Sequence, residues 1–336
     1  MRFGNVVLFG RTNVGKSTFL NAALGEPLAI VSPLPQTTRD ALLGVVNRTD
    51  AQLAFIDTPG VHRPRTELGR RMNAAALDAT RAADAVILMT DTHRVAATQG
   101  HLPPAARTTE ETGGIPAEDR SVLELIPQHV PTILVINKLD RLRNKSHLLA
   151  TIAAFNELRD FAAVVPGCML RSNDVERVLG AVAACLPEGP AGYEPDTLTN
   201  RPTLFFVREY VREQVMLQTG RELPHAVAVS IDELANRGDL LVAKATIHVE
   251  KPGQRRILVG RGGARIREVG RAARERIETL VGCRVFLELF VRVTPRWKNV
   301  PRQLAELGYE RGETSSDPEM LASEAALDTS DSRRSD

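Results

Sequence analysis

The chain has 336 residues, with 43 Lys plus Arg against 41 Asp plus Glu and a formal net charge of +2, so any surface for nucleic acid must be local rather than spread over the molecule. Three cysteines, Cys168, Cys185 and Cys283, lie far apart and form neither a disulfide framework nor a metal spacing, which suits a reducing cytosol. No apolar stretch is long enough to span a bilayer, no signal peptide precedes the first strand, and the length fits about two domains.

The first informative stretch is Val6-Val7-Leu8-Phe9, a short apolar run readable as a buried strand, followed by Gly10-Arg11-Thr12-Asn13-Val14-Gly15-Lys16-Ser17-Thr18. The spacing matches Gly-x4-Gly-Lys-Ser/Thr, a phosphate-binding loop. Glycines at 10 and 15 let the backbone curl so that successive N–H groups point at phosphate oxygens, and the helix expected over Thr18–Leu24, ending at Gly25, adds the positive end of its dipole. Lys16 supplies a cation to the outer phosphates and Ser17 an oxygen to magnesium.

A proline-rich loop over residues 26–35 leads to Gln36-Thr37-Thr38-Arg39-Asp40. A threonine here can close over magnesium and the terminal phosphate and lose its hold after hydrolysis; Thr38 is favoured over Thr37. Two apolar runs, Leu42–Val46 and Leu53–Ile56, flank a tight turn at Arg48-Thr49-Asp50 and read as a hairpin. The second ends in Asp57-Thr58-Pro59-Gly60, where Asp57 can hold magnesium through water and the Gly60 N–H can sense the terminal phosphate. Val61 occupies the place where many GTPases carry the glutamine that orients the attacking water, so water must be placed by another group.

The next buried strand is Ala85–Met89. Residues 96–117 are rich in Thr, Pro, Gly and Ala without period and read as an inserted, disordered surface loop. His93 and His101, near and in it, have no partner at metal-ligand spacing. The strand Thr132–Ile136 ends in Asn137-Lys138-Leu139-Asp140. A carboxylate at 140 accepts from N1–H and the exocyclic amine of guanine, whereas adenine would leave it unpaired, and the Lys138 stem can lie along the sugar and ring. Alone this tetrapeptide is weak; after a phosphate loop and Asp-Thr-Pro-Gly, each at a strand end, it is specific. A strand at Phe161–Val165, the loop Pro166-Gly167-Cys168-Met169 and a helix at Asp174–Cys185 complete an α/β domain with a mostly parallel sheet.

A Pro/Gly linker over residues 188–201 separates the domain 1–187 from a second one, 202–310. A helix is expected over residues 202–219, strands over Val227–Ile231 and Leu241–Val249, a strand at Arg256–Val259 entering Gly260-Arg261-Gly262-Gly263, a helix over Ala264–Leu280, a strand over Val285–Val293 and a short helix over Trp297–Leu307. A Gly-x-x-Gly turn before a basic helix is the device by which KH domains bring backbone close to single-stranded nucleotides, with an apolar groove for the bases. Arg255, Arg256, Arg261, Arg265, Arg267, Arg271, Arg274 and Arg276 concentrate charge there, so affinity should fall with salt. Residues 311–336 are acidic and Ser-rich, a disordered tail.

From Phe3 to Gly308 the chain resembles the Era family of bacterial ribosome-assembly GTPases. The matching stretches are Gly10 to Thr18, Gln36 to Arg39, Asp57 to Gly60, Asn137 to Asp140, the Leu223-Pro224 junction, Val259 to Ile266, Phe286 to Phe290, and Leu307-Gly308-Tyr309. The resemblance implies a P-loop GTPase domain, with helices on both faces of its sheet, followed by a smaller α+β type II KH domain. It implies a catalytic set of Lys16, Thr38, Gly60 and Asn13, and magnesium on Ser17, Thr38 and Asp57. GTP or GDP would be held by residues 10–18, Asp57, Thr58, Pro59, Gly60, Asn137, Lys138, Asp140, Cys168 and Met169. RNA would lie on Gly260, Arg261, Gly262, Gly263, Arg265, Ile266 and Arg267. It further implies binding of the 3′ end of 16S rRNA, work on the 30S subunit as a monomer, and a cytoplasmic location with peripheral contact at the inner face of the cell membrane. In related GTPases without the glutamine, an asparagine like Asn13 helps hold potassium near the phosphates. One departure stands out: the family's Ser-Ala at the last guanine-contacting loop is Cys168-Met169 here, followed by Leu170-Arg171, and the bulkier side chains could crowd the base. This leaves an alternative reading, a degenerate RNA-binding scaffold of the same fold that holds nucleotide poorly.

Overall fold

The computed structural model describes residues 1–32, 34, 36–91, 115–142, 146–219, 223 and 226–309. Most of the expected inserted loop, with His93 and His101, lies outside them, as do Pro224 and the tail 311–336. Strand β1 (Arg2–Gly10) pairs in parallel with β3 (Ala51–Asp57) on one side and β4 (Ala85–Asp91) on the other. The sheet continues in parallel through β5 (Thr132–Asn137) to β6 (Ala163–Pro166), and β2 (Leu42–Asn47) closes the other edge antiparallel to β3, giving the order β2-β3-β1-β4-β5-β6. The expected hairpin is therefore the single antiparallel pair of this sheet.

Strands β4 and β5 are buried at every position, as befits a sheet covered on both faces. The alternation along β1 shows the two layers: Val6 and Leu8 join one apolar cluster with Phe19 and Leu20 of α1 (Lys16–Leu24) and Val178 and Val182 of α5 (Ser172–Cys185). Val7 and Phe9 join the other, with Ala76 of α2 (Glu67–Arg81), Val122 of α3 (Ala117–Leu123) and Phe155 of α4 (Ser146–Leu158). Helices α2, α3 and α4 were not singled out from the sequence, although Thr66 caps α2 by accepting from the Gly69 N–H at 3.1 Å.

The second half runs α6 (Thr203–Gln218), β7 (Ala228–Arg237), β8 (Leu240–Val249), α7 (Pro252–Val259), α8 (Ala264–Val281), β9 (Arg284–Val293) and α9 (Pro301–Glu306), with β7 antiparallel and β9 parallel to the central β8. One expectation is corrected here. Arg256–Val259, read as a strand entering the glycine turn, forms the last half of α7. Pro252 stands at its first position and Gln254 Oε1 accepts from the Glu250 and Lys251 N–H groups, both at 2.9 Å, so the start of a helix outweighs the strand-like Ile257-Leu258-Val259 run. Of those three residues only Leu258 is buried.

The two halves meet in two shared apolar clusters. Leu28, Ala29 and Ile30 pack in the same cluster as Phe205, Phe206 and Tyr210 of α6. Leu68 and Met72 of α2 meet Trp297, Leu304, Leu307 and Tyr309 from the chain's last described turns. Trp297 is fully buried, donates to Ala226 O at 3.1 Å and stacks on Tyr309, and the Arg39 guanidinium lies over both rings at 5.6 and 5.9 Å. Trp297→Ala empties this joint and is expected to cost about 3–5 kcal/mol of stability, read as a lower urea midpoint.

Candidate nucleotide site and nucleic-acid interface

Four strand ends converge on the loop after β1. Gly10 and Gly15 sit at φ 144° and 109°, in the region that favours glycine. A Cβ at Gly10 would lie 2.4 Å from Met89 O, and one at Gly15 would lie 2.2 Å from Asn137 Nδ2. The glycines thus serve the loop's curl and also the approach of β4 and β5. Gly60 is equally tight: a Cβ there would stand 2.6 Å from Thr12 N and Cα, and the Val61 N–H donates to Gly10 O at 3.1 Å. Val61 itself turns into the apolar layer with Val7 and Phe9.

Beneath an open cavity of about 350 Å³ lie the oxygens expected for magnesium. Ser17 Oγ donates to Asp57 Oδ2 at 2.6 Å; Thr38 Oγ1 reaches the same oxygen at 3.3 Å and Ser17 Oγ at 2.9 Å. Thr37, the other candidate, instead donates its hydroxyl to Leu34 O at 2.8 Å. Asp57 is fully buried and its Oδ1 has no hydrogen-bond partner among the described residues. Burial pushes its carboxyl above the usual range, against the pull of Lys16, Ser17 and Thr38. An orphaned carboxylate oxygen beside two hydroxyls is a donor set of hard oxygens, which fits magnesium completed by phosphates and water.

Lys16 Nζ donates to Gly10 O at 3.2 Å and Arg11 O at 2.9 Å, and burial lowers its pKa to about 8 although Asp57 opposes the shift. Other predicted residues turn elsewhere. The Arg11 guanidinium binds Asp119 through two bonds, at 2.5 and 2.9 Å, and Glu118 at 2.8 Å, tying the loop to α3. Val14 packs in the core, and Thr58 donates to Leu8 O at 2.7 Å. Only the backbones of Arg11 and Val14 remain for phosphates.

At the base end, Asn137 is a three-way tie. Its Nδ2 donates to Val14 O at 2.8 Å, and its Oδ1 accepts from Lys138 N at 2.7 Å and Met169 N at 3.0 Å. The Met169 amide, expected to contact guanine O6, is thus engaged by Asn137, and the Met169 side chain is buried in the apolar core rather than lying over the base position. Lys138, at φ 60°, holds Asp91 at 2.8 Å and Asn13 O at 2.6 Å. Asp140 is exposed on a single 3-10 turn, free to face a base edge. Burial pushes the Cys168 thiol up, and its hydrogen bond to the Asp140 carboxylate adds to the shift.

The sequence reading missed a pair above the phosphates. His62 Nδ1 lies 3.1 Å from Gly60 O and its Nε2 2.8 Å from the Gln36 side-chain amide. A proton on Nδ1 satisfies both contacts, with Nε2 accepting. This clasp joins the 36–40 segment to the loop after β3. Its signal, a polar pair on two loops, had no spacing to reveal it.

In the second half, Gly260, Gly262 and Gly263 have φ of 74°, 57° and 77°, and Arg255, Arg256, Arg261, Arg265, Arg267 and Arg274 are exposed around them. Arg267 donates to Gly262 O at 2.8 Å and Arg265 to Ile257 O at 3.0 Å, bracing the turn; Ile266 is half-buried beside it. Arg271 is paired with Glu268 and Glu275. Arg276 is a correction to the basic face: it turns inward, 3.0 Å from Glu213, bonded to Pro27 O at 2.9 Å and lying 4.3 Å from the Tyr210 ring centre. Its position one helical turn from exposed arginines concealed this.

Phosphates near Lys16 will restore its charged form. At pH 8.5 nucleotide binding is therefore expected to take up roughly three-quarters of a proton, and almost none from this group at pH 6.5, where it is already charged. Calorimetry in two buffers of different ionisation enthalpy reads the uptake.

The model of a 50S ribosome-binding GTPase family matches residues 5–138, and that of a KH domain matches residues 222–298. GTPase Era of Xanthomonas oryzae pv. oryzae (strain MAFF 311018) is 40% identical over 310 residues, covering 92% of this chain and 97% of that protein. GTPase Era of Stenotrophomonas maltophilia (strain K279a) is 39% identical over 308 residues, covering 91% and 97%. Among solved structures, a single-residue variant of Aquifex aeolicus Era bound to GDP·AlF4⁻ superposes with a TM-score of 0.83 at 32% identity, covering 92% of this chain and all of that one. Era in complex with MgGDPNP and nucleotides 1506–1542 of 16S ribosomal RNA superposes with a TM-score of 0.82, also at 32% identity, covering 92% and 99%. With its phosphate loop, its helix-strand-strand-helix-helix-strand second half and these likenesses over nearly its whole length, the chain belongs to the Era family of GTPases.

Proposed function

We propose that this GTPase, working as a monomer with a GTPase domain at 1–187 and a KH domain at 202–310, uses its nucleotide state to control a single-stranded RNA site. The RNA is the 3′ end of 16S rRNA on the 30S subunit. The observation that carries the reading is the convergence of buried Lys16 and Asp57 with half-buried Ser17 and Thr38 in one cluster under the phosphate loop. Residues 10–18 bind the phosphates through backbone amides, and Lys16 moves from the loop's own carbonyls to the outer phosphates. Magnesium, when bound, neutralises charge developing between the outer phosphates. Ser17 and Thr38 would hold it with hydroxyl oxygens and Asp57 with its carboxylate. The Gly60 N–H meets the terminal phosphate, and Asp140, oriented by Cys168, selects guanine. Val61 is turned inward, so it cannot orient the attacking water.

The 16S reading is supported by the Era–16S rRNA complex, whose protein this chain matches over 92% of its length. The exposed arginines around three left-handed glycines support an RNA contact dominated by phosphate. No helix among the described residues is long and apolar enough to cross a membrane. We assign the chain to the cytoplasm, with peripheral contact at the inner face of the membrane, from the family resemblance. Potassium near Asn13, which stands at φ 65°, would supply positive charge in place of a catalytic side chain.

Two variants of the full chain separate the functions. Lys16→Ala is expected to abolish GTP binding, measured by fluorescent nucleotide titration, and to make RNA affinity independent of added GTP while the RNA site itself stays intact. Gly262→Asp is expected to lower affinity for a 16S 3′-end oligonucleotide by at least about tenfold while GTP binding persists; a side chain at 262 meets open space but must adopt the left-handed backbone there (φ 57°), so an unchanged circular dichroism spectrum is read alongside. Failure of the wild-type chain to bind GTP at high micromolar concentration would favour the nucleotide-poor scaffold. Turnover is expected to be several-fold faster in potassium than in sodium, and equal rates would remove the ion from the mechanism.

A further inference from the structure

The segment 36–40 is gripped from both halves of the molecule. Toward the phosphates it presents Thr38. Toward the RNA-binding half, three arginines hold it. Arg212 Nη2 donates to Thr37 O at 2.5 Å, Arg208 Nη2 to Asp40 Oδ2 at 2.7 Å, and Arg39 Nη1 to Val227 O at 2.6 Å. Arg212 is wholly buried, and its charge is met by Glu209, through Nε at 3.0 Å and again through Nη2. Burial alone would raise the Glu209 carboxyl; Arg212 outweighs that and holds it below the usual range.

The Thr37 carbonyl and the Thr38 nitrogen belong to one planar peptide unit. Fixing that oxygen fixes where Thr38 starts and which way its side chain leaves the backbone. The space under the segment, lined by Thr38, Asp40, Asp57, Phe205 and Glu209 among others, is about 20 Å³, room for one water, so little slack remains. A guanidinium on α6 therefore sets the aim of a hydroxyl that stands 2.9 Å from Ser17 Oγ.

We propose that Arg212, a residue of the RNA-binding half, is a positioning residue for GTP hydrolysis, holding Thr38 Oγ1 at the magnesium position through the Thr37 carbonyl. The proposal rests on the reading of Thr38 as the threonine that closes over magnesium and the terminal phosphate. It makes the GTPase site incomplete without α6.

The test uses the full chain and compares Arg212→Met, Thr38→Ala and the two combined, in steady-state GTP hydrolysis and in GDP affinity. Arg212→Met is expected to lower kcat by roughly tenfold or more and to leave GDP affinity within about twofold, because the Thr38 contact is made with the terminal phosphate present. The combined variant is expected to be no slower than Thr38→Ala alone, the mark of two residues acting through one contact. Arg212→Met leaves Glu209 buried and unpaired, so Glu209→Leu with Arg212→Met removes both charges and keeps the joint packed. This pair is expected to fold, to show the same kcat loss, and to add nothing to Thr38→Ala. Wild-type kcat in the charge-free pair, or losses that multiply with Thr38→Ala, would overturn the role of Arg212. Wild-type kcat in Thr38→Ala would instead overturn the reading of Thr38 on which it stands.

Discussion

Three positions without a Cβ decide whether this molecule has a nucleotide site at all. Gly10, Gly15 and Gly60 stand where backbone or side-chain atoms of neighbouring segments come within 2.6 Å of the place a Cβ would occupy. Their contacts are with Met89, Asn137 and Thr12, which lie at the ends of β4 and β5 and in the phosphate loop itself. Close approach brings the carboxyl ends of four parallel strands to a single point, which is where ligands bind in open α/β sheets. Asn137 then ties three of these segments with one amide group. Base recognition and phosphate recognition are in that sense one construction.

The second half is joined to the first by packing as well as by charge. Apolar residues 28–30 and the aromatic side chains of α6 form one cluster with the sheet's α1–α5 layer. Within that apolar setting, Arg39, Arg208, Arg212 and Arg276 are each spent on a named acceptor. Arginine suits such a place, because its planar, weakly hydrated fork can satisfy several acceptors at once. Of these arginines only Arg276 lies on α8, so the basic surface left for RNA is smaller by that residue than an arginine count along α8 indicates.

Much of the nucleotide site was legible in the chain because its motifs are local. The phosphate loop, Asp57 to Gly60 and Asn137 to Asp140 each occupy a few consecutive residues at a strand end, and the preference for Thr38 over Thr37 agrees with where each hydroxyl points. What escaped depends on residues distant in sequence. The inward turn of Arg276, the Asp119 anchor for Arg11, and the Gln36–His62 clasp have no periodicity to betray them. Nothing in the spacing of Arg208, Glu209 and Arg212 marks them out; the packing of α6 against residues 37–40 makes them buried. The misread strand at Arg256–Val259 failed for the opposite reason: the three-residue apolar run Ile257-Leu258-Val259 was weighed, while the helix start at Pro252 and Gln254 was not.

The joint also has a schedule. Arg39 is made early, but the rings that receive it, Trp297 and Tyr309, are among the last described residues of the chain. At roughly 5–20 residues per second, translation places about 15–55 s between them. During that interval the emerging first half can form its sheet, while the segment carrying Thr38 lacks the socket that anchors Arg39. The newborn protein thus acquires its finished switch only after the segment carrying Trp297 and Tyr309 has been made.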